Sequence, residues 1–161
     1  MIKYDKIEIL EQVILYVKEN LSGIKKSAKN TKERANDAPG AMVSHSDTSK
    51  TQLDNLAMGL KARTYELEIE LENLENFTTR KNSNVSIGAL IKLEDSVSVR
   101  FKHCYILPAG AGTVVDTEKG LVNIITTTAP LFNAMKGLEI DAEFYFKRGK
   151  EMKEYCITDI L

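Results

Sequence analysis

The chain has 161 residues, of which 43% are hydrophobic and 28% charged, and its formal net charge is -1. This is a folded composition with room for one ordinary domain or two small ones, and it excludes both disorder of the whole chain and the uniformly basic surface of an autonomous nucleic-acid binder. No run approaches the roughly 20 apolar residues of a membrane span, and Asp5, Glu8 and Glu11 stand where a secretory leader would be basic and then apolar. A cytoplasmic protein without a membrane segment is expected.

From Leu10 the apolar residues fall at Leu10, Ile14, Val17, Leu21, Ile24, Ala28 and Ala35, with Thr31 at the one polar position of the series. That alternation of four and three is a heptad seam. Leu53, Ala57, Leu60, Thr64, Leu67, Leu71 and Leu74 repeat it in a segment rich in helix formers. Between the two lies Asn36-Asp37-Ala38-Pro39-Gly40, where Pro39 cannot continue a helix and Gly40 permits a reversal. The pattern predicts an antiparallel coiled-coil hairpin over residues 1–79 with its tip at about 36–48, each arm about 40 Å long at 1.5 Å per residue. Ser46 or Asp47 offers cap chemistry to the returning helix. Ile7, Ile9, Val13 and Leu15 widen the apolar face near the start and are expected to pack on the returning helix and the following domain.

Charge divides along this hairpin. Residues 25 to 63 hold eight basic residues (Lys25, Lys26, Lys29, Lys32, Arg34, Lys50, Lys61, Arg63) against four acidic ones (Glu33, Asp37, Asp47, Asp54), while Glu66, Glu68, Glu70, Glu72 and Glu75 close the returning helix. A solvated coiled-coil exterior accounts for such runs; so does an arm that enters a negatively charged environment far end first.

Phe77 to Asn84 breaks the heptads with polar, turn-favouring residues, and beyond it the period changes to two. Strands are predicted at Val85–Ile87, Ala89–Leu93, Val97–Phe101, Cys104–Leu107, Thr113–Val115, Leu121–Ile125, Glu143–Phe146 and Glu154–Thr158, with one helix over Pro130–Lys136 set between Pro130 and Gly137. The expected second domain, 84–161, is an antiparallel sheet with one short helix, so the fold class is α+β. Cys104 and Cys156 lie in strand-like runs without metal or disulfide spacing and are expected to be buried free thiols. Gly110-Ala-Gly112 reads as a tight turn, since no helix start follows to make it a phosphate cradle.

The second half carries Tyr105-Ile-Leu-Pro-Ala-Gly-Ala-Gly112, then Thr128-Ala-Pro-Leu-Phe-Asn-Ala-Met-Lys-Gly137, then Asp141. Following a coiled-coil hairpin, these runs resemble the C-terminal domain of the Gre-type transcription elongation factors, GreA and GreB. Pro130, Leu131, Ala134, Gly137 and Asp141 match that pattern; Ala129 stands where serine is usual, and Gly137-Leu-Glu-Ile replaces a more usual Gly-Lys-x-x-Gly. The resemblance implies an FKBP-like fold for the second domain and RNA polymerase as partner. It implies that the edge around Pro130 and Leu131 docks on the rim of the polymerase secondary channel, and that the hairpin runs down the channel to the catalytic magnesium. It also implies indirect contact with nascent RNA or DNA, a monomer, no tightly bound cofactor, and no enzymatic activity of the chain's own.

Gre factors make the polymerase cut its backtracked transcript with two acidic residues three apart at the hairpin tip, which hold a second magnesium. Carboxylates suit that task because hard cations take oxygen ligands and two metals can stabilise attacking and leaving oxygens together. Laid on that motif, Ser44-His45-Ser46-Asp47 puts Asp47 in the second place and Ser44 in the first, so one carboxylate is missing. Asp37, on the other arm of the tip, is the candidate to replace it across the turn; Asp47 as a plain helix cap is the competing reading. His45 is a candidate proton donor or metal neighbour, although a single exposed loop histidine is more often an ordinary solvated side chain, and His103 is uninformative. Two functions follow from the resemblance: a factor that rescues backtracked complexes by stimulating cleavage, and a channel-binding regulator that does not cleave. Two others come from different classes. A prolyl isomerase is disfavoured by the absence of tryptophan, and a coiled-coil adaptor would require an exposed further apolar stripe on either helix.

Overall fold

Asp5 starts the first helix: its carboxylate accepts hydrogen bonds from the backbone N–H of Ile7 at 2.9 Å and of Glu8 at 3.3 Å, satisfying donors that the first turn leaves without partners. In the computed structural model, which describes residues 4–37, 49–96 and 101–161, that helix, α1, spans Lys6–Asp37 and the returning helix, α2, spans Ser49–Glu75. The strands β1 (Leu90–Asp95), β2 (Phe101–Ile106), β3 (Val114–Thr117) and β4 (Gly120–Ile125) follow, then the short helix α3 (Pro130–Met135), then β5 (Glu143–Arg148) and β6 (Glu151–Ile160). The α+β class and the order of hairpin before sheet are as the periodicity predicts. Among the described residues no helix is long and apolar enough to cross a membrane.

The chain divides into two compact units: Leu15–Glu72, and Met1–Ile14 together with Asn73–Leu161. In the first unit α1 and α2 bury the heptad seam. Val17, Leu21, Thr31, Ala35 and Leu67 are buried, and Ile24, Ala28, Leu53, Ala57, Leu60, Thr64 and Leu71 are half-buried. Lys25 pairs with Glu68 at 2.7 Å, a bridge between the arms that antiparallel order makes possible. Seam burial supplies the stability here, since an exposed ion pair contributes at most about 1 kcal/mol.

The second unit is built on a six-stranded sheet of order β3-β4-β2-β1-β6-β5. One face carries Ile91, Leu93, Cys104, Ile106, Tyr155 and Ile157, closed by Phe132 and Met135 of α3. The opposite face buries Leu90, Tyr105, Val122 and Ile124, and the roots of the long helices bring Ile9, Val13 and Leu74 into the same unit's core.

Three expectations change, and a fourth lies largely outside the described residues. The sheet is mixed: β2 and β4 run parallel, with His103 beside Val122 and Ile106 beside Ile125. The chain leaves β2 for the edge strand β3 and returns as β4 into the place next to β2, an order that period-two patterning does not encode. Val85–Ile87 forms no strand, because Val85 instead exchanges single hydrogen bonds with the chain behind α3, donating to Leu138 O and accepting from Gly137 N–H, both at 2.8 Å. Residues 97–100 of the strand expected at Val97–Phe101 lie outside the described residues, and Phe101 opens β2. Finally, Ile9 and Val13 pack inside as expected, but Ile7 and Leu15 are each 57% exposed, since a helix that buries positions 9, 10, 13 and 17 turns 7 and 15 away.

Cys104 and Cys156 are both free; Cys104 is buried, with its thiol pushed up to about 11 by burial, whereas Cys156 is only half-buried. A buried neutral thiol behaves as a small apolar side chain, not a nucleophile.

Candidate docking and tip sites

The helix α3 is set by its ends. Ala129 holds extended angles at the N-cap without a side-chain bond, Pro130 presets the first helical angle, and Gly137 leaves the helix at φ +80, in the left-handed region that glycine adopts without strain. Four residues on, Asp141 has φ +67, the one non-glycine residue with positive φ among those described, and its N–H donates to Ile157 O at 2.8 Å. Aspartate tolerates this conformation better than most side chains. The proline, glycine and aspartate of the Gre-like run therefore each meet a local backbone requirement.

Phe132 and Met135 are the residues of α3 that go fully into the core, and Leu131 is half-buried against it. Pro130 is exposed. A cleft of about 440 Å³ runs beside α3, its polar lining made by Arg80, Asn84, Ser86, Thr127, Asn133 and Lys136. Arg80 and Lys136 are the cations of this lining, and Val85, Ile87 and Phe132 add an apolar part to it. Arg80 and Lys136 escape sequence reading, since nothing in their neighbourhoods distinguishes them from other surface cations.

At the tip, Asp37 is exposed at the end of α1. Ser44, His45 and Asp47, and with them the expected approach of Asp37 to Asp47, lie outside the described residues. Among the described residues no cluster of three or more His, Cys, Asp or Glu could hold a metal.

Two polar anchors in the second unit carry no sequence signal. Lys6 donates to Arg80 O and Gly88 O, both at 2.7 Å, and reaches Asn82 Oδ1 at 3.4 Å, pinning the start of α1 to the 80–88 segment. Tyr4 donates its single hydroxyl proton to Lys119 O at 3.0 Å, so it accepts from Nδ1 of His103, also at 3.0 Å. This assigns the neutral Nδ1–H tautomer to His103. Nε2 is then a buried acceptor without a hydrogen-bond partner among the described residues. Burial, and then the charge of Lys92, push His103 below its ordinary 6.5, with Asp159 opposing. The folded chain thus binds fewer protons than the unfolded one just below pH 6.5, and stability falls as pH drops through that value. His103→Gln is expected to flatten this acid-side loss in urea denaturation at pH 7 and 5; an unchanged pH dependence would mean that His103 titrates alike in both states.

No protein-family model matches this sequence, and comparison with curated proteins finds no relative. Comparison with solved structures finds the transcription factor Gfh1, at 17% identity and a TM-score of 0.42, covering 91% of this chain and 92% of that one. It also finds the GreA factor homolog 1 of Thermus thermophilus, at 15% identity and a TM-score of 0.40, covering 92% and 94%. A third is the prokaryotic transcription elongation factor GreA/GreB from Nitrosomonas europaea, at 19% identity and a TM-score of 0.37, covering 60% of this chain and 78% of that one.

Proposed function

We propose that this chain is a bacterial transcription elongation factor that binds RNA polymerase at the secondary channel and acts on backtracked or paused complexes. The observation that carries the reading is the joining of two features in one chain: a two-helix hairpin with an unbroken heptad seam, and a β unit whose α3 begins at Pro130, exits at Gly137 and is followed by left-handed Asp141. Each feature alone has a structural explanation; their succession is the Gre-like order that the sequence resembles.

On this reading the exposed Pro130 and half-buried Leu131, with the Arg80 and Lys136 cleft alongside, meet the polymerase rim, and the basic distal half of the hairpin goes first into the channel. The chain acts as a protein factor in the cytoplasm, and any bond cleavage is done by the polymerase active centre. Asp47, with Asp37 or Ser44 near it, would share a magnesium held mainly by polymerase. A second reading, a channel-bound regulator that does not promote cleavage, is favoured by Ser44 standing where the Gre motif has its first acid.

The test is transcript cleavage in stalled, backtracked complexes of the source organism's polymerase at fixed magnesium, comparing the wild type with Asp47→Ala and Asp37→Ala. Shortened transcripts that vanish with Asp47→Ala identify a cleavage factor and its ligand. Binding without shortening leaves the regulator, and failure to bind polymerase at micromolar concentration overturns both readings.

A further inference from the structure

The imidazole of His103 has one nitrogen served by protein and one that is not. Nδ1 is engaged by Tyr4, while Nε2 is buried and bonds to nothing among the described residues. With the proton on Nδ1, Nε2 is purely an acceptor, and an acceptor withdrawn from bulk water without a partner carries its full desolvation cost. Buried polar atoms in folded chains meet this cost with a protein partner or an ordered water.

The surroundings of Nε2 fit a water in both size and chemistry. Lys92 of β1 lies opposite His103 of β2 on one side and Asp159 of β6 on the other. Directly paired residues point to the same side of a sheet, so imidazole, ammonium and carboxylate form a row across three adjacent strands. A recess of about 10 Å³ is lined by all three, with Tyr4, Leu90 and Leu161 as its other walls. That volume is about what a single water centre needs and leaves no room for a larger ligand. A held water needs two to four polar partners, and the row offers two acceptors, Nε2 and the Asp159 carboxylate, and one donor. The donor is Lys92, whose Nζ sits 3.7 Å from the centre of the Phe101 ring. Its three hydrogens can serve the ring and the recess together, and its charge disfavours a metal ion there.

We propose that this recess is a binding site for one ordered water, which donates to Nε2 of His103 and to the Asp159 carboxylate and accepts from Lys92. The water extends the chain of hydrogen bonds that runs from Lys119 O through Tyr4 to His103, so that one polar network joins the segment entering α1 to β2, β1 and β6. The test is a crystal structure of the full chain at neutral pH, at a resolution that shows single waters, with Asp159→Ala and His103→Phe solved in the same way. The expected result is a water oxygen about 2.7–3.2 Å from both Nε2 and an Asp159 carboxylate oxygen. Asp159→Ala is expected to lower its occupancy at least about twofold, and His103→Phe to empty the site. A recess without density in the wild type overturns the proposal, as does a side chain bonded directly to Nε2. A water that keeps full occupancy in both variants overturns it too, because it would then be bulk solvent filling a crevice. Imidazole nitrogen NMR of the wild type in solution supplies a check that needs no variant: Nε2 is expected to be unprotonated at neutral pH, and a proton found there overturns the assignment.

Discussion

Gly110→Ala is expected to destabilise the second unit by about 2–5 kcal/mol, combining the ~1–2 kcal/mol that a left-handed backbone costs a residue with a Cβ and the ~1–3 kcal/mol of overpacking a filled core. Gly110 has φ +81, and a Cβ placed there would stand 2.8 Å from Cγ1 of Val13, with Ile124 and Leu74 at 3.9 Å. Val13 is fully buried and β-branched, so it has no free rotamer into which to retreat. Gly112 separates the two causes. Its φ is +84, yet nothing lies within 4 Å of its Cβ position, so Gly112→Ala is expected to cost only the backbone part, about 1 kcal/mol. Urea denaturation followed by tyrosine near-ultraviolet circular dichroism measures both. Val13→Ala in the Gly110→Ala background should return the steric share, and equal losses at the two glycines would show that Val13 does not crowd the turn.

Lys6→Met is expected to cost about 2–3 kcal/mol, because a charged donor is worth ~1.5–3 kcal/mol to its acceptors and its removal strands carbonyl oxygens that helped order the 80–88 segment. The sign of its pH dependence follows from burial. Desolvation pushes the Lys6 ammonium down from 10.5 to about 8 in the folded chain. Between those values the unfolded chain binds more protons, so the group adds stability as pH rises from about 8 to about 10.5. The neutral amine still has two hydrogens for Arg80 O and Gly88 O. The wild type should therefore gain on Lys6→Met between pH 7.5 and 10, read as a widening difference in urea midpoint. A difference that narrows with pH would mean that the folded chain holds the proton more tightly than water does.

The hairpin was legible because its information is local and periodic. A seam residue every 3.5 positions from Leu10 to Ala35 and from Leu53 to Leu74 can be satisfied only by a second helix. The short helix was legible for the same kind of reason, since Pro130 and Gly137 act on their own backbone. Six strand segments were legible from alternation, but their order was not: nothing in the period of β2 or β4 distinguishes a parallel from an antiparallel neighbour, and Val85 looks like a strand residue although it makes only two bonds behind α3.

The polar anchors lie beyond sequence reading because each depends on residues far apart in the chain. Lys6 becomes a half-buried donor only when residues 80 and 88 fold over it, and His103 acquires its tautomer from Tyr4, 99 positions away. What this sequence determined by itself is what one element imposes on its own residues: helix, turn, amphipathic face. Tertiary structure alone decided which distant groups share a low-dielectric neighbourhood, because burial and hydrogen-bond partnership belong to the packed chain and not to any segment of it.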